Sequence, residues 1–181
     1  MGKIIVIFGL IAGFILSAMM VVTMLLLHDT IGLDKGEIIG YTTMVVAFLM
    51  VFFGVRNYRD NVVGGDISFG RAFKVGISIA LLASVCYVAT WEVIYFRFMP
   101  DFGAKYAAAV VAKAKADGAS DAEIAKKQTD MAKFQEMYKK PLVNIAFTFL
   151  EPLPVGLLFA LIAAGVLRRP RGKNKPAAAA A

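Results

Sequence analysis

The chain alternates between four long apolar runs and short polar segments. The runs are Ile4–Leu27, Ile38–Val55, Val75–Phe96 and Leu142–Leu167. A bilayer core of roughly 30 Å takes about 20 helical residues at about 1.5 Å each. The first, third and fourth runs meet that length. The second meets it when Glu37 and Arg56 mark its water edges. Across all four, the charged residues are Glu92 and Glu151. The runs are apolar on every side, as membrane spans are and surface helices of soluble domains are not.

The pattern therefore predicts an all-α fold. It is a four-helix transmembrane bundle over residues 1–170, followed by a disordered basic and alanine-rich tail at 171–181. Between spans three and four lies an extracytoplasmic helical hairpin at about 101–140. Asp101–Asp117 reads as its first helix, with Gly118 as a left-handed C-cap. Ser120 and Glu123 are spaced as a capping box for the second. Ile124, Met131, Phe134 and Tyr138 share one face of that helix, and Pro141 stops it. That face is expected to pack within the hairpin, the alternatives being the bilayer or another protein.

Charge sets the orientation. Lys3, then Arg56, Arg59, Arg71 and Lys74, then Arg168, Arg169, Arg171, Lys173 and Lys175 all fall on one side. The short loop His28–Glu37 carries Asp29, Asp34 and Glu37 against Lys35. By the positive-inside rule both termini are cytoplasmic, in a multi-pass membrane protein. The first run exceeds a signal-peptide core, so it reads as a retained span. The net charge of +7 follows from topology, and no basic patch interleaved with aromatics points to nucleic acid. Anionic lipid head groups are the expected contacts of Arg56, Arg59, Arg71 and Lys74. Gly64-Gly65 marks a turn in that loop, and Ser68 or Asp66 is placed to cap the third helix.

Small residues recur every fourth position: Gly9, Gly13, Ser17; Ala72, Gly76, Ala80, Ser84; Gly156, Ala160, Ala164. Such ridges let helices approach closely. Packing within the chain is the first reading, and homo-oligomerisation through one ridge the alternative.

Chemistry narrows to the two acids. An intramembrane carboxylate costs at least a few kcal/mol and normally faces protein or water. Both fall in the outer half. Pro152 and Pro154 follow Glu151 and deprive carbonyls near Thr148 and Leu150 of helical partners. Glu92, Glu151, Pro152 and Pro154 thus form the candidate intramembrane polar site, if neighbouring helices join the acids. The structural reading is a kinked helix with Glu151 bonded to Asn144, Thr148 or Tyr95, and Glu92 at the interface beside Trp91 and Tyr95 in an aromatic belt. His28 is the sole histidine, and His28-Asp29 reads as an interfacial pair. Cys86 is the sole cysteine and reads as a packing residue. No catalytic triad, phosphate loop, metal cluster or cofactor motif is present.

The motifs Phe53-Gly-Val-Arg-Asn-Tyr-Arg-Asp60, Ile67-Ser-Phe-Gly-Arg-Ala-Phe-Lys-Val-Gly76, Ala83-Ser-Val-Cys-Tyr-Val-Ala-Thr-Trp91 and Glu151-Pro-Leu-Pro-Val-Gly156, with Arg168-Arg169, resemble the domain of unknown function 4199 family. The resemblance spans essentially the whole chain. It implies an uncharacterised bacterial multi-pass inner-membrane protein and supplies no catalytic residues. The expectation is a non-enzymatic accessory or interaction protein. The alternative is a small ion-coupled transporter using Glu151 and Glu92.

Overall fold

The computed structural model describes residues 1–169, with side chains left aside at residues 27–34. The tail at 171–181 and the His28-Asp29 pair lie outside the described residues and side chains. The described chain is helical, without strands. Helix α1 (Gly2–Val21) passes through a π-helical stretch (Val22–Leu27), and α2 runs His28–Asn61. Next come α3 (Phe69–Val93), a second π-helical stretch (Ile94–Phe98), α4 (Phe102–Ala116), α5 (Asp121–Tyr138), α6 (Pro141–Leu150) and α7 (Leu153–Leu167).

Four stretches are long and apolar enough to cross a membrane: Gly2–Leu26, Lys35–Asn61, Phe69–Phe98 and Pro141–Leu167. Each is longer than its apolar run. The second differs most, because α2 is helical where the sequence suggests a loop at His28–Glu37. Polar side chains there do not stop a helix that lacks an internal proline. Bulky apolar side chains face outward along the spans; Phe14 is 73% exposed and Leu142 82%. With no water outside a span, such exposure carries no penalty.

Phe8 lies against Gly54, and Met20 and Met44 line one cavity, so α1 and α2 are antiparallel. The centre of the bundle is α3, with 44% of the apolar 18-residue stretch in its span buried, against 22% in Pro141–Leu167. The small-residue ridges are spent inside the chain. A Cβ on Gly13 would meet Cys86 Cβ at 2.7 Å, and one on Gly76 would meet Ala160 Cα at 3.2 Å. Around them Ala47, Phe48, Val51, Val75, Ile79, Ala83, Ala160 and Ala164 are sealed from the surface. Dispersion at this close range, not water exclusion, holds the helices.

At one end the loop before α3 turns through Gly64 and Gly65, at φ 73° and 96°. Ser68 then caps α3, its hydroxyl accepting from Arg71 N–H at 3.4 Å. Ile67 and Arg169 exchange two backbone hydrogen bonds of 2.9 Å, which clasp the end of α7 to this loop.

At the other end α4 and α5 form an antiparallel pair. Gly118 (φ 80°) closes α4, and Ser120 with Glu123 makes the capping box of α5. The aromatic face of α5 does not pack within the pair alone. Phe134 meets Phe147 of α6 at 5.5 Å between ring centres, and Tyr138 meets Tyr95 at 5.4 Å. Gln135 Nε2 donates to Gly103 O at 2.9 Å and ties the two helices together. The hairpin is thus a cover seated on its own spans.

Hydrogen bonds from the Ser120 backbone N–H and hydroxyl hold the Glu123 carboxyl below its ordinary range. Its contribution to hairpin stability is therefore present above the unfolded carboxyl value and is lost as pH falls through the lowered one. Circular dichroism against pH should show hairpin helicity falling in acid. Glu123→Ala should lower that helicity at neutral pH and flatten the acid step; an unchanged step refutes the cap as its source.

Candidate functional site

A cavity of about 610 Å³ lies beneath the hairpin, between the hairpin-proximal ends of α1, α2, α3 and α6. The broken fourth span builds one wall. Pro152 and Pro154 cannot donate backbone hydrogen bonds, so α6 ends at Leu150 and α7 restarts at Leu153. Glu151 occupies the break and lines the cavity. Its Oε2 accepts the Tyr87 hydroxyl at 2.8 Å. Pro152 is buried, while Pro154 is exposed and away from the cavity lining.

The opposite wall is α2. Gly36, Gly40 and Glu37 line the cavity there. A Cβ on Gly36 or Gly40 would meet nothing within 4 Å, unlike the glycines of the packed ridges. These two keep space open instead of closing a helix contact.

The roof is aromatic and hydrogen-bonded. Trp91 Nε1 donates to the Tyr138 hydroxyl at 2.9 Å. Tyr138 lies 3.2 Å from Thr148 Oγ1, and Thr148 donates to Asn144 Oδ1 at 3.1 Å. Each hydroxyl has one proton, so Tyr138 donates to Thr148. Burial pushes the Tyr138 hydroxyl up from its ordinary value, so it stays protonated as that donor. Asn144 is fully buried, and its Nδ2 finds no partner among the described residues.

The two acids are not brought together. Glu92 is half-buried, does not line the cavity, and leaves Oε1 buried without a hydrogen bond among the described residues. Tyr87, one turn before Trp91, takes its place beside Glu151. Nor do Trp91 and Tyr95 form a lipid-facing belt. They are 6% and 5% exposed, because the hairpin offers the indole N–H an acceptor and the rings edge-on partners in Phe102 and Tyr138. Sequence reasoning missed Tyr87, Glu37, Gly36 and Gly40. Only the spacing of Gly36 and Gly40 is visible in sequence, and that spacing resembles an ordinary packing ridge.

The basic residues lie at the opposite end. Arg59 donates to both Asp60 oxygens, at 2.6 and 3.1 Å, and Arg56 approaches Asp60 at 3.7 Å. Arg71 follows the Ser68 cap, and Lys74 lies one turn further along α3. Among the described residues no cluster of three or more His, Cys, Asp or Glu could hold a metal ion.

Residues 7–169 match the family model described as Protein of unknown function (DUF4199). The chain belongs to the DUF4199 family. No curated protein and no solved structure matches it. The matched region of this DUF4199 chain takes in most of the first span, the other three spans, the hairpin and the Ile67–Arg169 clasp. It is an integral membrane protein of unknown activity, with a cavity of about 610 Å³ at the hairpin end.

Proposed function

We propose that this is a non-enzymatic protein of the bacterial inner membrane that binds a small ligand in the cavity under the hairpin. The carrying observation is that cavity, lined by the Glu151 carboxylate and left open by Gly36 and Gly40. Its volume falls within the roughly 300–1,000 Å³ of small-molecule sites. The termini are cytoplasmic and the hairpin lies outside, so the cavity serves the outer face. The basic residues Arg56, Arg59, Arg71 and Lys74 then meet anionic lipid head groups of the inner leaflet, at about 1 kcal/mol each where free to do so.

Ion-coupled transport through Glu151 is the second reading. The helix break at Glu151 favours it, since freed carbonyls and a carboxylate suit an ion path. The sealed half of the bundle favours binding alone: Phe48 and Ala80 close on Gly156, and the backbone clasp locks the far end. A carrier would have to open that half, and an accessory protein that presents or senses a ligand would not.

Cysteine labelling tests side and access together. In a Cys86→Ser background, Gly40→Cys in intact cells should react with a membrane-impermeant maleimide. Lys173→Cys should react only after permeabilisation. Labelling at 173 in intact cells overturns the orientation, and an inert Gly40→Cys overturns an outward-open cavity.

A further inference from the structure

We propose that the cavity takes a lipophilic organic cation, an inference that rests on reading the cavity as a ligand site. Two carboxylates line it, Glu37 from α2 and Glu151 from the break in the fourth span. The competing amine on the wall is Lys105 of the hairpin.

Several wall donors that could hold an anion are already committed, while Lys105 and the Tyr41 and Tyr106 hydroxyls are left to compete. Thr23 and Thr43 give their hydroxyl protons to carbonyls of their own helices, Met19 O and Ile39 O, each at 2.7 Å. One N–H of the Gln135 amide goes to Gly103 O, and the Tyr87 hydroxyl to Glu151. Acceptors remain, because a carboxylate offers several lone-pair positions and Tyr87 occupies one on Oε2.

The rest of the wall suits a large apolar body with positive charge. Met20, Met44 and Trp91 face the space. Thioethers are polarizable and fit irregular shapes, and aromatic faces attract cations. A bare metal ion does not match, since the described residues hold no ligand cluster for one. The space exceeds what an ion needs, and Gly36 and Gly40 widen it further.

The protein carries its own reporter, for Trp91 is the sole tryptophan and lines the cavity. The experiment titrates the full chain, in nanodiscs of zwitterionic lipid, with tetraphenylphosphonium and with tetraphenylborate. These ions share a shape and differ in charge sign; empty nanodiscs provide the background. Tetraphenylphosphonium should change Trp91 emission saturably, and tetraphenylborate should not. Glu151→Gln should weaken phosphonium binding by about tenfold or more, equivalent to about 1.4 kcal/mol. Glu37→Gln, on a separate helix, repeats the test if the first variant fails to fold.

Equal binding of both ions, no saturable phosphonium signal, or unchanged affinity in both variants overturns the cation assignment. A neutral probe, 1-aminoanthracene, separates this failure from that of the cavity reading. If it binds the parent and is lost in Gly40→Leu, the cavity is a ligand site for uncharged molecules. If it binds neither, both readings fall.

Discussion

Gly156→Leu should destabilise the bundle by about 3 kcal/mol, the upper end for forcing bulk into a filled interior. A Cβ at Gly156 would lie 2.9 Å from Ala80 Cβ and 3.1 Å from Phe48 Cζ. Neither neighbour can withdraw easily, since Ala80 sits on the central helix and Phe48 is fully buried. A leucine adds further atoms beyond that Cβ, so α7 must move away from α2 and α3. Gly165→Leu provides the contrast on the same helix. A Cβ at Gly165 meets nothing within 4 Å, and leucine favours helix over glycine. Thermal unfolding in detergent should show a large loss for Gly156→Leu and no loss for Gly165→Leu. Equal behaviour would mean that the ridge is not what joins α7 to the bundle.

Tyr138→Phe should lower stability by about 1–3 kcal/mol, the cost of leaving a buried donor without its acceptor. The phenyl ring keeps its packing against Phe134 and Tyr95. What goes is the acceptor for Trp91 Nε1 and the donor to Thr148. Trp91 emission should therefore shift to the blue. A double-mutant cycle isolates the effect: in a Trp91→Phe background, Tyr138→Phe should cost clearly less. Strict additivity, or an unmoved emission maximum, would remove the indole–phenol bond from the account of how the hairpin is held.

Local features of this fold were legible from the chain. Pro152 and Pro154 break a helix wherever they fall, and they do so at Glu151. Ser68, Gly118 and the Ser120–Glu123 pair act on atoms within one turn, so spacing alone locates them. Pairings across the fold were not legible. Nothing near Glu151 in sequence points to Tyr87, because which face of α3 meets the fourth span depends on packing along both helices. Trp91 and Tyr95 misled for a related reason. An amphipathic ring suits a lipid interface and a hairpin-covered pocket equally, and only the contact with Tyr138 separates the two. Glycine spacing likewise does not distinguish Gly76, where a neighbour presses close, from Gly40, where none does.

The backbone clasp between Ile67 and Arg169 has a consequence for biogenesis. Its two strands of chain are made far apart in time. The first three spans can enter the membrane while Arg169 is still inside the ribosome. Until it emerges, Ile67 lacks these two partners and α7 is absent from the ridges of α3. The newborn protein thus waits as an unfinished bundle until its fourth span arrives and completes these contacts.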